Sequence, residues 1–84
     1  MKGHIFKPSG IPMTALDHIT LYRDELEALR LCDHEGMTQE QAGRSMGISR
    51  GTVQRLLMSG REKMVGAIVS SKAIIFERET NVKK

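Results

Sequence analysis

No tryptophan occurs among the 84 residues, and tyrosine and phenylalanine together contribute three. With so few large rings and 39% of residues apolar, the chain has little material from which to wall off a deep ligand cavity. A single cysteine, Cys32, excludes an intrachain disulfide framework and fits a reducing compartment, so a cytoplasmic protein is expected. No apolar run approaches the roughly 20 residues that cross a bilayer, and the N-terminal MKGHIFKPSGIP lacks the apolar stretch of a secretion signal. A soluble chain with no membrane partner is the expectation. The two prolines, Pro8 and Pro12, lie near the start and leave everything beyond residue 12 free to be helical. The glycines are spread singly, so no phosphate-cradling loop is present, and no repeat is found.

What is present is a set of short amphipathic segments, enough for one small domain over residues 1–84 with its core at about 16–69. Leu26, Leu29 and Cys32, with Leu31 beside them, predict a first helix from Arg23 to His34. Asp24, Glu25 and Glu27 sit in its first turn, where the helix dipole favours negative charge, and Glu35-Gly36 ends it. Thr38 followed by Gln41 reads as a capping box opening a short helix, about Gln39 to Met46, stopped by Gly47. Ser49 caps a third helix from Arg50 to about Val69, with Gly60 as a place where it is expected to bend or fray. His4-Ile5-Phe6-Lys7 and Lys72 to Glu77 read as short extended pieces, and Leu16 to Leu21 reads equally as strand or helical turn. Ile5-Phe6 and Ile74-Ile75-Phe76 are poor candidates for free edges, so they are expected to pair, within one chain or between two. Pairing between two chains would make a homodimer.

The segment Gln39 to Met58, QEQAGRSMGISRGTVQRLLM, meets the steric demands of a helix-turn-helix. Two helices crossing steeply need a small residue where their backbones approach, which is Gly43, and a turn residue free of Cβ strain, which is Gly47. Ala42, Met46, Ile48, Val53 and Leu56 fall at the inward positions. Arg50, Gly51, Thr52, Gln54 and Arg55 then project outward from the first turns of the third helix. In this motif that face enters the DNA major groove, where Arg reads guanine and Gln reads adenine. Thr38, Gln39 and Ser49 at helix N-termini, with Arg44, Arg61 and Lys63, are the expected phosphate contacts. Charge follows the same division. Arg23 to Glu35 carries five acids against two arginines, and Ser49 to Lys63 carries four bases against Glu62, a distribution that favours a polyanionic partner for the second segment.

ELEALRLCDHEGMTQEQAGRSMGISRGTVQRLLMSGREKM resembles region four of bacterial sigma factors, whose helix-turn-helix reads promoter elements. More closely, FKPSGIPM, LDHITLYRDELEALRL, MGISRGTVQRL and KAIIFE resemble a family of short, uncharacterised prokaryotic proteins described as predicted DNA-binding proteins with a sigma region-four-like fold. The resemblance covers about residues 4 to 77 and implies a mostly α, helix-turn-helix domain of about three helices that regulates transcription by binding double-stranded DNA. One departure concerns the first helix. The family usually has Thr where this chain has Tyr22, so the first helix is expected to begin later or to take its cap from Thr20.

Other chemistry finds less support. One Cys and three scattered His do not give the paired spacing of a zinc site, and neither a catalytic group nor a cofactor is expected. Cys32 reads as a small buried apolar side chain, and Met46 as core filling. RNA binding is disfavoured because basic and aromatic residues are not interleaved. The rival to DNA reading is a sigma-like interaction module that binds RNA polymerase or another regulator without touching DNA.

Overall fold

A computed structural model describes residues 5–8, 10 and 17–77. The elements run β1 (Ile5–Phe6), β2 (His18–Leu21), α1 (Arg23–Leu29), a π-helical turn (Arg30–His34), α2 (Gln39–Met46), α3 (Arg50–Val69) and β3 (Ala73–Phe76). The fold is mostly helical, with three helices and a small sheet. It divides into two compact units, one of Asp24–Glu62 and one formed by the flanking chain on both sides.

In the Asp24–Glu62 unit the buried core is Ala28, Leu31, Ala42, Val53 and Leu57, with Leu29, Cys32, Met37, Met46, Ile48 and Leu56 packed against it. The expected inward positions of α2 and α3 are thus occupied as anticipated, and Leu57 joins them. On α1 the buried face is turned one residue from the expected stripe. Glu25, Ala28 and Leu31 are the buried positions, while Leu26, Leu29 and Cys32 are half-buried beside them. A carboxylate is tolerated there because Ser59 Oγ of α3 donates a hydrogen bond to Glu25 Oε2.

The first helix does not continue as a regular α-helix to His34. From Arg30 it widens by one residue per turn, with the Glu35 N–H donating to the Arg30 carbonyl, and a six-residue bond from the Met37 N–H to the Leu31 carbonyl closes its end, each at 2.9 Å. Gly36, at φ 82°, closes the turn as expected of a glycine just past a helix end. The capping box of α2 is formed in both directions: Thr38 Oγ1 accepts from the Gln41 N–H at 3.1 Å and Gln41 Oε1 accepts from the Thr38 N–H at 2.9 Å.

The other unit is built on a three-stranded sheet of order β1-β3-β2. β1 pairs antiparallel with β3 (Ile5 with Ile75, Phe6 with Ile74), and β2 pairs parallel with it (His18 with Ala73 through Leu21 with Phe76). The two terminal pieces therefore pair within the chain, and the ambiguous Leu16–Leu21 stretch resolves to a strand from His18 onward; Leu16 lies outside the described residues. Leu21, Ala67, Ala73 and Ile74 are buried. The start of α1 corrects the capping expectation. The helix begins at Arg23, and its first N–H donates to Glu77 Oε1 at 2.8 Å, so the cap comes from the residue after β3 and not from Thr20. α3 runs without interruption from Arg50 to Val69, so it does not fray at Gly60.

Candidate functional site

Gly43 lies where the chain entering α3 crosses α2. A Cβ placed on it would sit 2.7 Å from the Ile48 carbonyl oxygen, so only glycine allows this approach. Gly47 ends α2 at φ 74°, and the Ile48 N–H donates back to the Gly43 carbonyl at 2.9 Å. These contacts fix the turn from Gly47 to Ser49, and with it the direction in which α3 leaves.

The direction of α3 sets its faces. Val53 and Leu57 are fully buried, while Arg50, Gln54 and Arg55 are exposed and Gly51 and Thr52 are half-buried. The five residues expected at a ligand-facing surface therefore occupy one continuous patch on the first turns of α3. Ser49 closes the N-terminus of the helix by accepting the Thr52 N–H at 3.2 Å. Its Oγ lies 2.9 Å from Thr52 Oγ1, which in turn accepts from Arg55 Nη2 at 3.2 Å.

Of the remaining expected contacts, Thr38, Arg44 and Ser49 are exposed and Gln39 is half-buried. Arg44 and Arg50 make no ion pair among the described residues. Two cations are committed elsewhere. Lys63 Nζ donates to the Thr20 carbonyl at 2.9 Å and lies 4.3 Å from the centre of the Tyr22 ring, so it serves the fold of its own unit. Arg61 holds Asp33 through two hydrogen bonds of 3.0 and 2.7 Å, which keeps the Asp33 carboxyl below its usual range. Between Gln41 and Arg61 the chain carries four arginines and no acid. Glu40 of α2 and Glu62 of α3 flank this stretch, and a denser group of acids runs from α1 to Glu35, where Glu27 and Glu35 engage Arg30.

Sequence reasoning missed the pairing of the buried Glu25 with the half-buried Ser59, 34 residues apart. Among the described residues no group of three or more His, Cys, Asp or Glu is placed to hold a metal ion, and no helix is long and apolar enough to cross a membrane.

A family model described as a protein of unknown function, DUF134, matches residues 2–82. Among curated proteins, the chain is 47% identical over 72 residues to a UPF0251 protein of Halothermothrix orenii, covering 86% of this chain and 53% of the relative. It is 43% identical over 76 residues to a UPF0251 protein of Vibrio parahaemolyticus, covering 90% and 79%, and 49% identical over 72 residues to one of Desulforudis audaxviator, covering 86% and 47%. In several of these relatives the chain therefore spans about half of the relative's length. No solved structure matches the chain.

Proposed function

The chain belongs to the DUF134 family of prokaryotic UPF0251 proteins, and from that premise we propose that it binds double-stranded DNA sequence-specifically and regulates transcription. In this reading the start of α3 enters the major groove. Arg50, Gln54 and Arg55 face base edges, and Gly51, without a side chain, lets the backbone approach closely. Thr38, Gln39, Arg44 and Ser49, at or near the N-termini of α2 and α3, face phosphates. Arg61 and Lys63 are left out of the contact set because Arg61 Nε and Nη2 hold the Asp33 carboxylate and Lys63 Nζ holds the Thr20 carbonyl.

One observation carries the reading. A turn fixed by the Gly43 approach presents an exposed Arg50–Gln54–Arg55 face on a helix whose opposite side, Val53 and Leu57, is buried, within a stretch free of acids. Such a face has the charge and donor pattern of a major-groove reader, and nothing on it is suited to covalent chemistry.

The test is selection of bound fragments from a random duplex pool, followed by fluorescence anisotropy on the selected and a scrambled duplex. The wild type is expected to prefer the selected duplex by about 10³-fold or more. Replacing Arg50 and Arg55 together by Ala is expected to remove that preference. Equal, weak binding to both duplexes, unchanged in the double variant, would overturn the proposal in favour of a surface for RNA polymerase or another regulator.

A further inference from the structure

Resting on the DNA reading above, we infer that Thr52 is a positioning residue for Arg55, which is thereby prepared to read a guanine in the preferred duplex. The sequence places Thr52 among the base contacts, and the geometry gives it a different task. Ser49, which caps α3, and Thr52 and Arg55 on its first turns are spaced by three, and their polar atoms form a single chain of hydrogen bonds. Arg55 has only donors, so the Thr52 hydroxyl oxygen must be the acceptor from Nη2. That oxygen is itself held at 2.9 Å from Ser49 Oγ, which is anchored to the backbone by the Thr52 N–H. An exposed arginine otherwise samples many rotamers and loses them on binding. Here one N–H of Nη2 is tied to the helix, and the other four donors, the second N–H of Nη2 among them, stay available to pair with the O6 and N7 of guanine.

Thr52 is half-buried, and its hydroxyl meets Ser49 Oγ and Arg55 Nη2 within the chain. Thr52→Val keeps the shape and the branched Cβ but removes the acceptor, and it leaves the Ser49 cap with its backbone donor. Thr52→Ser keeps the acceptor.

The experiment measures binding of the full chain to the selected duplex, to the same duplex with the contacted guanine replaced by 7-deazaguanine, and to a scrambled duplex. In the wild type, 7-deazaguanine, which lacks the N7 acceptor, is expected to weaken binding about tenfold. Thr52→Val is expected to weaken binding to the selected duplex about fivefold, to shrink the 7-deazaguanine effect, and to leave scrambled-duplex binding and the melting temperature unchanged. Thr52→Ser restores wild-type values. On an Arg55→Ala background, Thr52→Val should have no further effect, because the group it positions is gone. An equal loss on both backgrounds would mean that Thr52 touches DNA itself, and would overturn the inference while leaving the DNA reading intact. A wild type that binds all duplexes alike would overturn both.

Discussion

Gly43, Gly60 and Gly66 all lie inside helices, yet the space around each differs, and so does the expected effect of adding one methyl group. At Gly43 the new Cβ meets a backbone carbonyl, Ile48 O at 2.7 Å, which cannot move without reshaping the turn. The overpacking cost of about 1–3 kcal/mol outweighs the gain of about 1 kcal/mol from replacing a helical glycine. At Gly60 the neighbour is Leu29 Cδ1 at 2.9 Å, the end of a flexible, half-buried side chain. There the two effects nearly offset, leaving a net loss below about 1 kcal/mol. Nothing lies within 4 Å at Gly66, so Gly66→Ala should stabilise by about 0.5–1 kcal/mol. Urea unfolding at neutral pH should rank Gly66→Ala above wild type, then Gly60→Ala, then Gly43→Ala. A Gly43→Ala chain as stable as wild type would contradict the close crossing. The roles of Gly43 and Gly47 are legible from sequence because a steric demand falls on one residue type at a fixed spacing. Glu25 is not legible in this way. Its buried position depends on a serine 34 residues away, and no local pattern announces that a carboxylate has found a donor.

Among the elements, α1 shows where local periodicity runs out. A spacing of three to four residues predicts a regular helix to His34, and the chain instead inserts a π turn at Arg30–His34. The extra residue leaves no composition signal; within the turn Leu31 is buried in the core and Asp33 reaches Arg61 on α3. That ion pair gives the element a pH signature. Arg61 lowers the Asp33 pKa on folding, so its stabilisation is full above the ordinary carboxylate value near 4. It is lost as pH falls through the depressed folded value. Both side chains are about half exposed, 42% for Asp33 and 51% for Arg61, so water and salt screen the pair to about 1 kcal/mol or less. Asp33→Asn is expected to cost at most that much at pH 7, and the gap to wild type should close below about pH 4. Urea midpoints across pH 3 to 7 check this, and a gap that stays constant through that range would show that the carboxylate's charge is not what Arg61 uses. The neighbouring α2 was fully legible, because the Thr38–Gln41 box and Gly47 are local devices that need no distant partner.

At the scale of the whole molecule, long-range pairing and charge distribution divide between what sequence shows and what it hides. Pairing of β1 with β3 follows from two apolar pieces that each need a partner. The insertion of β2 parallel to β3 does not, because a parallel pair between residues 18–21 and 73–76 depends on distant chain and carries no turn signal. Charge is legible in full as composition, a net +3, but its availability is a property of the fold. Arg30, Arg61 and Lys63 are engaged within the chain, while Arg44, Arg50 and Arg55 lie exposed in the acid-free stretch around α2 and α3. If the proposed DNA reading is correct, Arg44 at a phosphate and Arg50 and Arg55 in the groove together displace about three counterions per chain, and the logarithm of the binding constant should fall with the logarithm of salt at a slope near −3. Two chains on adjacent half-sites, as a homodimer would place them, should double that slope. Anisotropy titrations between 50 and 300 mM salt measure it. Arg44→Ala should flatten the slope by about 1 per bound chain, whereas Arg61→Ala should leave it unchanged because Asp33 already neutralises that cation. A slope that responds to Arg61 and ignores Arg44 would place the phosphate contact at Arg61 and overturn the contact set proposed.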